Sequence, residues 1–150
     1  MRSIEGVRAL ATLVGEELAV SDWVLVNQDR IQQFADATGD HQWIHLDVGR
    51  AKEGPFGATI AHGFLSLSML PLLTKPSIAV TGLRMQLNYG LNSVRWPSPL
   101  RVGSRVRDRI TLLSVTPRGE AWQVVMRHQV EIENLDRPAC VAEWITLMFE

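Results

Sequence analysis

A carboxylic acid and an imidazole, Asp40 and His45, lie five residues apart in a loop that follows Gly39. A folded loop of this length can bring the two side chains to either side of one water molecule. A carboxylate and an imidazole are the pair expected for general acid and general base work near neutral pH. The spacing also fits a plain alternative, in which glycine and aspartate end a helix and His45 is an ordinary surface or core histidine.

A second candidate group is the backbone N–H of Gly63, near the start of a long apolar segment, residues 62–73. The N–H groups in the first turn of a helix have no partner within the helix, and glycine lets a ligand oxygen approach closely. Such a donor could stabilise a carbonyl oxygen that gains negative charge. The alternative is a glycine required for close helix–sheet packing, and the sequence leaves both open.

Metal and disulfide chemistry are not indicated. His41 and His45 are four residues apart, but their segment lacks a helical pattern and has no apparent third ligand, so we expect no metal site. The one cysteine, Cys140, cannot form an intramolecular disulfide. It lies in an apolar run, which predicts a small buried side chain.

The loop with the acid and the imidazole follows a predicted helix over residues 28–38. Apolar residues recur there at helical spacing, Asn27 is a typical N-cap and Gly39 ends the helix. Residues 39–58 are rich in glycine and are predicted to be irregular, apart from one short helical turn near residues 48–52. A loop of this length inside a domain usually has a function.

Residues 62–73 are apolar almost all round, which predicts a helix buried on most sides. Earlier in the chain the pattern predicts a helix over roughly residues 7–18 and a short strand over residues 23–26. His128, on the apolar face of a later strand, is expected to be a hydrogen-bonded core or interface histidine. The second half consists of long strand-like segments, at residues 83–89, 105–115, 122–132 and 139–149. This order predicts an α+β fold in which a curved antiparallel sheet wraps around one long apolar helix.

Length, composition and charge agree with a single domain spanning residues 1–150. Hydrophobic residues make up 46% of the chain and charged residues 21%, which is ordinary for a globular protein and excludes intrinsic disorder. Fifteen basic and sixteen acidic residues give a net charge of −1, so no broad positive surface for nucleic acid is expected. No signal peptide or membrane-spanning stretch is apparent, and we therefore expect a cytoplasmic protein without a membrane partner.

Five segments of the chain form a recognisable pattern. They are Phe34-Ala35-Asp36-Ala37-Thr38-Gly39-Asp40 through His45, Gly54-Pro55-Phe56-Gly57, Ile60-Ala61-His62-Gly63, Asn88-Tyr89-Gly90-Leu91-Asn92-Ser93-Val94-Arg95-Trp96-Pro97 and Val102-Gly103-Ser104. The most specific element is Gly-Asp, four residues and then His, followed later by His-Gly at the start of a helix. Together the segments resemble the MaoC-like, (R)-specific enoyl-CoA hydratase family, and the resemblance extends from about residue 21 to the C-terminus.

The resemblance implies a hot-dog fold and the reversible hydration of trans-2-enoyl thioesters to (R)-3-hydroxyacyl thioesters. Asp40 and His45 match the family's catalytic pair, and Gly63 matches its backbone donor to the thioester carbonyl. The implied reaction requires no metal or redox cofactor, since the CoA thioester is itself the substrate. We further expect three residues to bind substrate, namely His62, Trp43 and Arg95.

The expected partners are an acyl-CoA or acyl-carrier-protein thioester and a second copy of the chain. A single hot-dog domain leaves sheet edges open, and a homodimer would cover them. Gln42 and Trp43 stand where the family commonly has Asn and Pro, which bears on loop geometry and acyl-chain preference. Two other functions fit the same fold. One is an acyl-CoA thioesterase that uses the same helix end and a carboxylate, and the other is a non-catalytic acyl-thioester-binding protein.

Overall fold

The chain forms eight strands and six short helices, and the computed structural model describes all 150 residues. In chain order the elements are β1 (Arg2–Glu5), α1 (Gly6–Ala11), β2 (Glu17–Val20), β3 (Val24–Leu25), α2 (Gln28–Thr38), α3 (Trp43–Leu46), α4 (Val48–Lys52), α5 (Gly63–Ser68), α6 (Leu70–Thr74), β4 (Ile78–Thr81), β5 (Met85–Arg95), β6 (Arg105–Arg118), β7 (Ala121–Ile132) and β8 (Cys140–Phe149).

Six strands form one antiparallel sheet in the order β2-β6-β7-β8-β5, with β3 also paired to β6. The four long strands of the sheet are those that the alternating apolar pattern predicts, and the α+β fold class is confirmed. β1 and β4 form a separate parallel pair that the sequence analysis did not predict. Their pairing joins segments far apart in the chain, so no local pattern could indicate it.

The predicted central helix is present as two consecutive helices, α5 and α6, with Met69 between them. The break has a local cause: Pro71 lacks an N–H and cannot continue the helical hydrogen bonding of α5. Leu65, Leu70 and Leu73 of these helices are buried against residues of β6, β7 and β8. The sheet therefore packs around the helical segment as the hot-dog arrangement requires.

The expectation that this segment is buried on most sides is wrong in part. Phe64 is 65% exposed and Leu72 is 44% exposed, so one side of α5 and α6 faces outward in the single chain. These two apolar side chains lie on the side of the helices that the sheet does not reach. Part of the apolar pattern of this segment therefore forms a surface that is exposed to solvent in a single copy of the chain.

The N-terminal elements are shorter than predicted. The helix expected over residues 7–18 ends at Ala11, and Gly15, which has a positive φ of 92°, lies in the turn that leads into β2. The strand expected over residues 23–26 is present as the two-residue β3. Residues 17–18, at the end of the predicted helix, instead belong to β2 and pair with β6.

The helix that precedes the Asp40 loop is confirmed with its predicted bounds. The Asn27 side chain accepts a hydrogen bond from the Arg30 N–H at 3.0 Å, and Gly39 adopts a left-handed φ of 78° at the other end. The helical turn near residues 48–52 is also confirmed, as α4. The short helix α3, which carries His45, falls in the stretch predicted to be irregular.

Asp108 and His128 form a polar contact within the apolar core. The His128 Nδ1 atom lies 2.6 Å from an oxygen of Asp108, and both side chains are fully buried. The prediction of a hydrogen-bonded core histidine is confirmed, as is the burial of Cys140. No helix of the molecule combines the length and the apolar character that crossing a bilayer would require.

Candidate active site

Asp40 lies one residue beyond the C-terminal glycine of α2. The left-handed conformation of Gly39 redirects the chain there, so Asp40 begins a new direction rather than another helical turn. One oxygen of its carboxylate accepts a hydrogen bond from the Gln42 N–H at 3.3 Å, and the side chain is exposed. This contact leaves the second carboxylate oxygen free for a ligand.

His45 lies on α3 with its side chain buried, at 6% exposure. Its Nδ1 atom is 2.7 Å from the carbonyl oxygen of Ile60. A carbonyl oxygen only accepts, so Nδ1 carries the proton and donates it, and Nε2 of the neutral ring is left as an acceptor. Ile60 therefore selects the tautomer of His45.

Gln28 anchors α3 from the first turn of α2. Its side-chain amide donates to the His45 carbonyl oxygen at 2.8 Å and accepts from the Thr59 hydroxyl at 2.6 Å. Sequence reasoning missed Gln28 and Thr59, because these contacts join residues 17 and 31 positions apart and no motif marks them. Together with Ile60 they hold the His45 main chain and side chain in place.

His62 is the second buried imidazole of the site, at 3% exposure. Its Nε2 atom lies 2.9 Å from the Asp40 carbonyl oxygen and therefore donates to it. Its ring stacks on the ring of His45, with centroids 3.7 Å apart and planes 24° from parallel. His62 is thus in contact with both members of the predicted catalytic pair.

Gly63 begins α5, and its backbone N–H donates no hydrogen bond within the chain. A Cβ atom at this position would lie 3.0 Å from atoms of the Trp96 indole ring. The close approach of Trp96 supports the packing explanation for the glycine, and the free N–H supports the donor explanation. Both explanations hold at the same residue.

These groups line one cavity of about 430 Å³. A carboxylate oxygen of Asp40 and one ring nitrogen from each of His45 and His62 lie within 4.8 Å of one another. A water that makes two ordinary hydrogen bonds spans roughly 4.6 Å between its partners. The spacing therefore suits one water shared by the acid and the imidazole. The lining residues are Phe34, Thr38, Asp40, His45, His62, Gly63, Phe64 and Ser68.

The same three side chains are spaced closely enough to be tested as metal ligands. Imidazole lone pairs lie in the ring plane, and the rings of His45 and His62 are nearly parallel and face to face. The two lone pairs therefore run side by side and do not converge on one point. The arrangement fits a bound water better than a metal ion.

Burial lowers the pKa of His45 below its ordinary value, because the charged imidazolium would lose its hydration. The hydrogen bond to the Ile60 carbonyl acts in the opposite direction and raises it. The negative charge of Asp40 also raises it. The net effect keeps the His45 ring neutral, with a lone pair on Nε2, at neutral pH.

Trp43 and Arg95 do not line this cavity. The Trp43 ring lies under the Arg50 guanidinium, 4.1 Å from its centre, and packs against Gly54. Arg95 ends β5 on the surface and donates to the carbonyl oxygen of Val94 at 2.7 Å. The structure therefore brings together Asp40, His45, His62 and Gly63, and leaves these two apart from them.

Comparison with known proteins matches this chain, over most of its length, to one family model and to several relatives. A family model described as the MaoC-like domain matches residues 9–134. The 3-hydroxyacyl-thioester dehydratase Z of Mycobacterium tuberculosis H37Rv is 50% identical over 146 residues, which is 97% of each chain. Nodulation protein N of Rhizobium leguminosarum bv. viciae is 48% identical over 138 residues, covering 90% of this chain and 86% of that protein.

The fold is also similar to that of a solved structure, the unliganded (R)-hydratase of Pseudomonas aeruginosa. The TM-score is 0.75 at 22% sequence identity, covering 91% of this chain and 82% of the other. At this identity the likeness is one of fold, the hot-dog arrangement of a curved sheet around a central helical segment.

Proposed function

The chain belongs to the MaoC-like dehydratase family, and from that premise we propose that it is an (R)-specific enoyl-thioester hydratase. It adds water reversibly to trans-2-enoyl thioesters and gives (R)-3-hydroxyacyl thioesters. In the reverse direction it is a 3-hydroxyacyl-thioester dehydratase, the activity that names its relative in Mycobacterium tuberculosis. Both directions are reactions of a hydro-lyase.

One observation carries the proposal: the acid, the imidazole and a free backbone donor lie around one small cavity. Asp40 and His45 are close enough to hold the same water, and the Gly63 N–H faces no partner of its own. Addition of water to an enoyl thioester needs an activated water on one side and a donor to the thioester oxygen on the other. This chain supplies both within one cavity.

The proton steps follow from the tautomer of His45. Because Nδ1–H is committed to the Ile60 carbonyl, the lone pair of Nε2 accepts one proton from the water. The carboxylate of Asp40 accepts a hydrogen bond from the other O–H, whose hydrogen stays on the oxygen. The hydroxyl oxygen bonds to C3, and the proton that His45 has taken up is delivered to C2. Both parts of the water reach one face of the double bond, which accounts for a single stereochemical product.

Attack at C3 moves electrons toward the thioester oxygen and forms an enolate-like transition state. A free N–H at a helix start is a suitable donor to this oxygen, since it stabilises charge that develops only as the reaction proceeds. We assign this role to Gly63. The reaction balances without an electron acceptor, because the double bond takes up all the atoms of one water, and so we propose that no redox cofactor takes part. We propose that no metal takes part either, because the Gly63 N–H supplies the donor to the thioester oxygen.

An apolar groove beside the cavity is the proposed site of the acyl chain. It has a volume of about 420 Å³, runs between the α5–α6 segment and strands β5 and β8, and shares Ser68 with the catalytic cavity. An acyl chain attached to a thioester at Gly63 could therefore continue into it without crossing the protein. The groove is lined by Leu67, Ser68, Leu70, Pro71, Asn88, Tyr89, Gly90, Leu91 and Trp144.

We also propose that the working form is a homodimer that acts on CoA or carrier-protein thioesters. β5 lies at the edge of the sheet, pairs only with β8, and is exposed on both faces. Met85, Leu87 and Tyr89 on this strand are 44–49% exposed. A second copy paired along β5 would remove the open edge and wall the groove that β5 lines.

The test is hydration of crotonyl-CoA by the purified protein, followed as loss of the conjugated enoyl absorbance. The wild-type chain should give (R)-3-hydroxybutyryl-CoA. Asp40→Asn and His45→Gln should each lower kcat by roughly a hundredfold or more, because each removes one of the two groups that activate the water. Both changes keep the size and polarity of the side chain, so circular dichroism should show an intact fold.

His41→Gln is the matched control, since His41 is exposed and lies next to Asp40 but does not line the cavity. It should keep the wild-type rate. Full activity of Asp40→Asn or His45→Gln would remove that residue from the mechanism. Release of free thiol from a saturated acyl-CoA would instead indicate a thioesterase, and tight binding of crotonyl-CoA without product would indicate a binding protein.

A further inference from the structure

We propose that His62 is a positioning residue that holds the two reacting side chains in register, with one contact to the Asp40 main chain and another to the His45 ring. The proposal rests on the proposed function, and it concerns the same cavity. His62 was expected from the sequence to bind substrate. Its contacts suggest a different role, behind the reacting groups.

The first contact fixes the start of the catalytic loop. The Asp40 side chain is exposed, and its own hydrogen bond to the Gln42 N–H is long, at 3.3 Å. The Asp40 carbonyl oxygen, in contrast, accepts from the buried Nε2 of His62 at 2.9 Å, and no other group of the chain donates to it. This bond ties an exposed loop residue to the start of α5, where Gly63 follows immediately in the chain.

The second contact fixes the ring of His45. The two imidazoles stack at 3.7 Å, and the other neighbour of His62 is the Phe34 ring, at 5.1 Å and tilted by 54°. His62 therefore covers one face of the His45 ring. Removal of this cover would admit water to the face of His45 and would reduce the desolvation that keeps its ring neutral.

The two ring nitrogens of His62 have different surroundings. Nε2 donates to the Asp40 carbonyl, and Nδ1 is buried and has no hydrogen-bond partner. A second proton on Nδ1 would be a buried donor without an acceptor, beside another imidazole. This argues for a structural donor of fixed tautomer rather than a third acid or base in the reaction.

The charged and titratable groups that face this pair are few. Asp40 and His45 line the cavity with His62, and the exposed pair of Asp36 and His41, 3.0 Å apart, lies on the outer side of the loop. Hydrogen bonding to Asp36 raises the pKa of His41, and the same contact lowers the pKa of Asp36. Because His41 is exposed, its titration can be recorded separately from that of His45.

Two substitutions separate the contacts. His62→Gln keeps an amide N–H at the position of Nε2 and can still donate to the Asp40 carbonyl, but it removes the stacked ring. His62→Phe keeps a ring against His45 but removes the donor. His41→Gln serves as the control for a histidine outside the cavity. For each variant, kcat and KM with crotonyl-CoA, the NMR titration of the His45 ring and the thermal unfolding midpoint are measured.

His62→Phe should affect mainly kcat, and His62→Gln should affect mainly the titration midpoint of His45. His62→Phe should lower kcat by roughly ten- to hundredfold, because Asp40 loses its anchor, and should leave the His45 titration at its low wild-type position. His62→Gln should retain more of kcat, and its His45 midpoint should move upward toward 6.5, the ordinary histidine value. KM should change by less than about threefold in both, because the contacts of His62 are with the protein.

Three results would overturn the proposal. The first is a raised KM with unchanged kcat in both variants, which would make His62 a substrate-binding residue. The second is an equal loss of rate and of unfolding temperature in both, with no change in the His45 titration, which would leave only a packing role. The third is wild-type behaviour of both. If the wild-type chain hydrates no enoyl thioester, the proposed function fails, and the NMR titrations still decide whether His62 covers His45.

Discussion

At the scale of single residues, the acid–imidazole pair combines an exposed group with a buried one. Asp40 is open to solvent, whereas His45 is almost fully covered and hydrogen-bonded at Nδ1. The surroundings of the imidazole keep it neutral, with a lone pair on Nε2. Both groups can then accept a hydrogen bond from the same water, whereas a charged imidazole has no lone pair with which to accept one.

The lowered pKa of His45 predicts how the rate depends on pH. The neutral ring, which is the active form, should persist below pH 6.5, the ordinary value for a histidine. With crotonyl-CoA, kcat should stay constant as the pH falls through 6.5 and should decline only below it. A profile between pH 4.5 and 8 checks this, and a decline centred at or above pH 6.5 would contradict it.

The same shift has a consequence for stability, with a sign that can be checked. The unfolded chain binds a proton at His45 near pH 6.5, and the folded chain binds it only at lower pH, so acidification below 6.5 favours unfolding. Urea unfolding at pH 7.5 and at pH 5.5 should show a smaller pH-dependent loss in His45→Gln than in the wild-type chain. An equal loss in both would mean that other groups account for the dependence.

At the scale of elements, the start of α5 requires two properties of Gly63. Gly63 must leave its N–H accessible to a thioester oxygen, and it must also leave room for the Trp96 ring. A methyl group there would meet the ring at 3.0 Å and would displace it or shift the helix start. Since Trp96 is 38% exposed, the ring has space to move, and the fold should survive the change.

Gly63→Ala should therefore lower kcat with crotonyl-CoA by roughly tenfold or more, while the folded state persists. Gly49→Ala is a suitable control, because a Cβ atom there makes only an ordinary 3.7 Å contact with an Asp47 oxygen. It should keep both rate and stability. Unchanged kcat in Gly63→Ala would rule out close approach of the substrate at this N–H and leave the packing explanation alone.

The elements that the sequence predicts well are those specified by neighbouring residues. Helix α2 has its N-cap, its apolar spacing and its terminal glycine within thirteen consecutive residues, 27–39, and its bounds are correct. The four long strands follow from alternation. The elements that were shortened or missed, such as α1 and the β1–β4 pair, depend on partners far along the chain. Local patterns contain no information about such partners.

The same division holds within the candidate site. Asp40, His45 and Gly63 belong to short motifs, so residue chemistry and family resemblance identify them. Gln28 supports His45 from 17 residues away, and His62 supports Asp40 from 22 residues away. The sequence marks His62 through its motif but cannot show what it contacts, and it does not mark Gln28 at all.

At the scale of the whole molecule, the apolar surface that one chain leaves open lies on β5 and on the outer side of α5 and α6. Leu87 on β5 is 44% exposed and Phe64 on α5 is 65% exposed. The groove proposed for the acyl chain has one wall on β5. A second copy that covers the sheet edge at β5 would therefore also form a further wall of the groove proposed for the acyl chain.

Leu87→Lys should convert the dimer to a monomer, because it places a charge on the edge strand where two copies would pair. Sedimentation equilibrium should give twice the 16.8 kDa chain mass for the wild-type protein and the single mass for the variant. Leu135→Lys is the control, as Leu135 is 56% exposed in the segment after β7, away from β5. A wild-type monomer at micromolar concentration would refute the proposed dimer.

The buried contact between Asp108 and His128 has a consequence for how the sheet assembles. β6 and β7 pair with Ile110 opposite His128 and Asp108 opposite Val130, so the acid and the imidazole meet diagonally. Sliding one strand by a single position would turn its apolar side chains outward. Sliding it by two positions would keep them inward, but Asp108 and His128 would then be buried among apolar side chains without their hydrogen bond. This contact therefore favours the native register of β6 and β7 over the two-residue shift, which burial of apolar side chains alone would permit.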